Sequence, residues 1–246
     1  TCRDWSSDVC SSDLRLGFTY INSGNLYRAI TWAAIQAGVG PHDADAITEI
    51  AGKCRLEYRS GVLHLDGQAI ESELRTAEID ASVAQVSAIV PVRSIVNRVV
   101  RATGASTDSV VEGRDICTVV FPDAECQFYI DASVEARAQR RFSQASSGLP
   151  LDEIRKNIEM RDAIDMGKAV GRLERSPKAF YIDTSYLTID EVYDIVNAKI
   201  QQQGNRMAKE VEMDTVTPSD DSIQTQLQEQ YLKSMNHLEE DRKSVV

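Results

Sequence analysis

The residues best placed to do chemistry lie in 110–122, VVEGRDICTVVFP, where a Gly-Arg-Asp triplet follows directly on a short apolar β run. In open parallel α/β sheets the ligand crevice lies outside the carboxyl ends of the strands, so Arg114 and Asp115 are expected to project into it rather than into bulk water. The planar fork of an arginine matches phosphate oxygens, and an aspartate accepts from amino groups. Side by side they suit a small anion that also carries an amine. The alternative is an ordinary surface ion pair in a strand-to-helix loop, and the elements around the triplet decide between the two.

Those elements need a core. The chain has 246 residues, 42% of them hydrophobic, enough for one large domain or two small ones. With 27 Lys+Arg against 38 Asp+Glu, the formal charge of −11 argues against a surface that tracks nucleic acid, so any anion site must be a local basic pocket. No apolar run approaches the roughly 18 residues of a membrane span, and the amino end lacks the apolar core of a signal peptide. A cytoplasmic protein that binds neither membrane nor nucleic acid is expected. The 5 Cys are odd in number and scattered, and neither they nor the 3 His fall into metal-ligand spacing. Cys54, Cys117 and Cys126 read as reduced, buried thiols, and His42, His64 and His237 as structural or surface residues.

Residues 1–13, TCRDWSSDVCSSD, repeat Ser-Ser-Asp without helical or strand periodicity and resemble translated sequencing-adapter sequence, as does DRKSVV at 241–246. Both ends are set aside as non-native, and the chain is expected to be an internal piece of a longer gene. Regular pattern begins at Leu14. A strand at 18–21 runs into an amphipathic helix opened by Ser23-Gly24 and ended by Gly38 and Gly40. A helix at 44–53 precedes strands at 54–58 and 62–65, with Asp66-Gly67 as the next turn, a small antiparallel insertion. Helices are expected at 71–79 and 92–103, then strands at 109–112 and 125–130, a helix at 134–142, a strand at 179–182 and a helix at 189–199. Strands separated by crossover helices imply a parallel sheet. Residues 143–172 are too long for a simple connection and read as a lid. The domain thus spans 14–203, with an insertion at about 51–100 and a lid at about 143–172. Residues 204–246 read as a polar linker with one short amphipathic segment at 223–238.

Five blocks occur in a fixed order: YINSGNLYRA at 20–29, VSAIVPVR at 86–93, VEGRDICTVVFPDA at 111–124, RDAIDMGK at 161–168 and YIDTS at 181–185. Together they resemble bacterial cytidylate kinase, of the P-loop nucleoside monophosphate kinases, over about 14–204; the extended GRDxxTVVFP block is the specific part. The resemblance implies a three-layer α/β fold with a parallel central sheet, a small antiparallel nucleotide-binding insertion and a helical lid. It also implies transfer of the γ-phosphoryl group of ATP, with Mg²⁺, to CMP or dCMP by a monomer. Asp115 and Arg93 match the positions that read the cytosine edge, and Ser23, Arg28 and Arg114 match those that bind the α-phosphate. Arg161 and Asp165 match the lid-side pair that reaches ribose and phosphates, and Lys168 stands with Arg161 as a lid cation.

The departures are as informative. The family's opening strand and GxxGxGKST loop, which cradles the ATP phosphates, occur nowhere in the sequence, so the sheet is expected to lack that strand and the chain to lack turnover. Its loss is expected to leave the strands at 18–21 and 109–112 with unpaired edges. Asn22 stands where an aspartate is usual, Lys168 where a second lid arginine is usual, and Ala84 where a base-contacting serine is usual, with Ser82 or Ser87 able to compensate. A kinase acting on UMP or AMP is the alternative. Residues 227–240, LQEQYLKSMNHLEE, resemble the start of a ribosomal RNA-binding protein of repeated OB-fold modules, which suggests a parent with an RNA-binding half.

Overall fold

The computed structural model describes residues 17–59, 61–143, 149–168 and 170–215; the expected non-native ends and the segment at 223–238 lie outside them. β1 (Thr19–Asn22) ends at Asn22, whose side chain accepts from the backbone N–H of Asn25 and caps α1 (Ser23–Gln36). α1 buries Leu26, Tyr27, Ala29, Ile30 and Ala34, and Gly38, at φ 70, turns the chain away after it. α2 (Ala44–Lys53) is capped by Asp43 and matches the expected bounds.

β2 (Leu56–Arg59), β3 (Val62–Leu65) and β4 (Gln68–Ala69) form an antiparallel sheet. Asp66 and Gly67, at φ 50 and 86, supply the consecutive left-handed residues of a two-residue turn between β3 and β4. The helix expected at 71–79 starts later, as α3 (Ala77–Val86). Thr76 accepts from the N–H of Ile79 and fixes that start, while the residues before it make turns that bury Ile70 and Leu74. α4 (Val90–Ser106) opens with Pro at its first turn and leads to β5 (Ser109–Glu112).

β5 ends at the Gly-Arg-Asp triplet, and a π-helical turn, Ile116–Val120, follows. β6 (Phe128–Asp131), α5 (Val134–Ser143), α6 (Leu151–Gly167), β7 (Phe180–Asp183) and α7 (Ile189–Thr215) complete the described chain. α7 runs well past the expected end at 199 and into the segment read as linker. Neither proline nor a glycine cap stops it before Thr215.

The fold is α/β with parallel strands. β1 pairs with β5, Ile21 opposite Val111, and β6 pairs with β7, Ile130 opposite Ile182. The expectation of unpaired edges on β1 and β5 is corrected in part: each has the other as a partner, and the break in the sheet falls between the two ladders. Alternate residues of β5 face opposite sides. Val111 joins Ile21 and the helices α1 to α4 in one cluster, while Val110 joins Ile182 and Val192, Val196 and Ile200 of α7 in another. That is a three-layer arrangement. α5 and α6 make a smaller cluster around Ala138, Ile154 and Ile158.

Candidate active site

Past the carboxyl ends of β1 and β5, the chain reverses twice within a short distance. Gly113 is the reason it fits: a Cβ there would lie 2.3 Å from the Ser23 hydroxyl and 2.8 Å from Ile116, so only glycine lets the loop reach the start of α1. The loop therefore delivers Arg114 and Asp115 beside buried Ser23. The π-helical turn after Asp115 returns three N–H groups to its carbonyl, Val119 at 2.8 Å being the shortest. Arg101 of α4 donates to the carbonyls of Val119 and Val120 at 2.7 and 3.0 Å, pinning the turn from behind.

Asp115 and Arg93 meet in a buried ion pair, Arg93 Nη2 donating to Oδ2. Arg93 Nη1 donates to the Ser87 carbonyl at 2.9 Å, and its guanidinium stands 5.7 Å from the centroid of the Tyr27 ring. The Tyr27 hydroxyl is buried without a hydrogen-bond partner among the described residues, and burial pushes its pKa up to about 12.

A second cluster forms around Asp165 of α6, which is buried. Lys168 Nζ donates to Oδ1 at 2.8 Å, Arg114 Nε stands 3.3 Å from Oδ2, and Arg161 Nε stands 4.0 Å from the same oxygen. Oδ2 makes no hydrogen bond of its own, so it is held by charge alone. Burial, then the like charge of Arg114, lowers the Arg161 pKa to about 10, against the opposing pull of Asp165; Arg141 and Arg28 add to the lowering. Cations thus outnumber the carboxylate that gathers them. Lys168 also reaches Ser87 Oγ at 3.1 Å, bridging α6 to the segment between α3 and α4.

Of the residues expected from the sequence, the structure brings Arg93 and Asp115 together, and Arg114, Arg161, Asp165 and Lys168 together, with Ser23 against Gly113. Arg28 stands apart. It is buried, donates to the Leu74 carbonyl at 3.0 Å and pairs with Asp80 at 2.6 Å, reaching the cluster through its field on Arg161. Asn22 does not stand as a free substitute for a carboxylate: it caps α1 and donates to Tyr20 and Glu112. Of the two serines named as substitutes at the base site, Ser87 is the one in contact with Lys168 and Arg93.

Gly113, Tyr27 and Arg101 were given no role from the sequence, although Gly113 and Tyr27 lie inside the quoted blocks. Arg137 and Arg140 are structural: Arg137 makes a two-pronged pair with Asp162 at 3.0 and 2.6 Å, and Arg140 donates to Thr184. A cavity of about 320 Å³ lies between Thr118 and Val119 on one side and Lys168, Gly171, Arg172 and Glu174 on the other. A larger hollow of about 810 Å³ sits at the amino end of β5, but its lining contains Asp108, Asp123 and Glu125 and no cation, so it does not suit a phosphate.

No group of three His, Cys, Asp or Glu among the described residues is arranged to hold a metal. The sequence contains no GxxGxGKST loop of the kind that cradles nucleotide phosphates. Among the described residues no single helix is long and apolar enough to cross a membrane.

Guanidinium groups gathered past the carboxyl ends of parallel strands are an arrangement by which α/β enzymes hold phosphate groups. The family model for cytidylate kinase matches residues 7–202. The chain is 38% identical over 196 residues to a cytidylate kinase of Borrelia turicatae, covering 78% of this chain and 88% of the relative. It is 38% identical over 188 residues to one of Borrelia duttonii, covering 74% and 86%. A bifunctional pantoate ligase/cytidylate kinase of Synechococcus is 37% identical over 190 residues, 73% of this chain and 35% of that protein. The chain belongs to the cytidylate kinase family, whose members are phosphotransferases.

Proposed function

We propose that this chain holds CMP or dCMP as the phosphoryl acceptor, the reaction of the family being ATP + (d)CMP → ADP + (d)CDP. The observation that carries this reading is the buried Arg93–Asp115 pair beside a cluster of cations around Asp165. Cytosine offers an N4 amino donor next to the N3 and O2 acceptors. Asp115 accepts from the first and Arg93 donates to the others, whereas uracil would turn a carbonyl oxygen toward the carboxylate. Ser23, Arg28 and Arg114 take the α-phosphate, Asp80 giving up Arg28 when the phosphate arrives. Asp165 accepts from the ribose, and Arg161 and Lys168 offset the charge that develops on the transferring group. The acceptor oxygen is already anionic, so these residues bind and orient; none has to remove a proton. AMP and UMP are the wrong shape or polarity for the Asp115 carboxylate.

The glycine-rich loop of the family is absent from the sequence, so the reading includes the proposal that these 246 residues bind the acceptor without turning it over. Calorimetric titration with CMP and UMP tests the binding half. CMP should bind more tightly, and Asp115→Ala should erase about 1–3 kcal/mol of that preference, the worth of a good base contact. Equal affinities in the unaltered chain overturn the reading. Under the same conditions a coupled assay should register no CMP-dependent ADP release; ordinary turnover would refute the inactive half alone.

A further inference from the structure

We infer that Gly171 is a positioning residue for base selectivity, resting on the reading of Arg93 and Asp115 as the pair that recognises cytosine. Gly171 lies just after α6, at φ 65, where a side chain would be strained on conformation alone. It also lies against Arg93. A Cβ at Gly171 would stand 1.8 Å from Arg93 Nη2, 2.1 Å from Cζ and 2.6 Å from Nε. Those atoms cannot move aside cheaply. Nη2 is committed to Asp115, Nη1 donates to the Ser87 carbonyl at 2.9 Å, and the Tyr27 ring occupies another side of the guanidinium.

The same stretch is anchored at both ends. Lys168 joins Ser87 Oγ to Asp165, and the N–H of Leu173 donates to the Asp165 carbonyl at 2.9 Å. Gly171 is therefore held onto Arg93 by the residues that also hold the cation cluster. Its bare backbone packs against the guanidinium and keeps Nη2 on the carboxylate. Displacing Arg93 would leave Asp115 buried without its cation. A buried carboxylate that has lost its cation turns away, and that change removes the distinction between an amino group and a carbonyl at the base edge.

The test separates backbone strain from the contact. Asparagine tolerates a left-handed φ yet carries a Cβ, so Gly171→Asn keeps the turn and introduces the clash. In calorimetric titrations of the full chain with CMP and UMP, Gly171→Asn should lower the CMP-over-UMP affinity ratio at least roughly tenfold. In an Arg93→Lys background the same change should lower it no further, because the branched head it displaces is gone. An unchanged ratio in Gly171→Asn, or a full additional loss in the Arg93→Lys background, overturns the inference and leaves the proposed function standing. An unaltered chain with no CMP preference overturns the proposed function, and this inference with it. Should Gly171→Asn not fold, nitrogen-15 NMR of the unaltered chain gives the same answer. Separate Arg93 Nη–H signals, identified by their loss in Arg93→Lys, support a clamped guanidinium, and averaged signals refute one.

Discussion

Asp165 shows how one side chain can set the electrostatics of a site. It is buried, yet Arg114, Arg161 and Lys168 all converge on it, so it gathers positive charge that has no other carboxylate partner among the described residues. Replacing it with the isosteric amide leaves like charges facing one another. The guanidiniums of Arg114 and Arg161 are 41% and 38% exposed, so water screens part of that repulsion. Asp165→Asn should therefore destabilise the fold by only about 1–3 kcal/mol, read as a lower urea midpoint at unchanged m-value. A midpoint identical to that of the unaltered chain would show that the cations do not depend on it. Arg114 and Asp115 stood out in the sequence because charge directly after an apolar strand can project into a ligand crevice. Gly113 and Gly171 did not, since what forbids a side chain there is a neighbour far away in sequence, Ser23 in one case and Arg93 in the other.

At the scale of elements, α6 matters most, because it carries Arg161 and Asp165 and delivers Lys168. Its own packing is thin, a few side chains against α5, so its position depends on polar contacts as well. The two-pronged Arg137–Asp162 pair is the best of these, and Arg137 also donates to the Ala132 carbonyl at 3.0 Å. Arg137→Ala should speed amide hydrogen exchange across α6 roughly tenfold, the equivalent of about 1.4 kcal/mol, while exchange in α1 and α4 stays unchanged. Uniform acceleration through the protein would contradict a local role. The sequence made the alternation of strands and helices plain, down to the bounds of α2, β3 and β5, because caps, turn residues and apolar spacing agree there. It misplaced α3, where the cap Thr76 carries less visible signal than the acidic run before it, and cut α7 short, where polarity was taken for absence of structure.

Across the whole molecule, the site draws on two helices of the first core cluster, on the loop after β5 and on α6. α1 gives Ser23 and Arg28, α4 gives Arg93, the loop after β5 gives Arg114 and Asp115, and α6 gives Arg161 and Asp165. Residues from four of the five sequence blocks contribute to it, which no local pattern could have shown; only their joint order pointed there. The break between the β1–β5 and β6–β7 ladders is the other molecular feature. A crystal structure of the chain soaked with CMP tests the central claim most directly. The account predicts the cytosine edge against Asp115 and Arg93, with the phosphate among Ser23, Arg28 and Arg114. CMP bound elsewhere, or bound with its base turned away from Asp115, would contradict it.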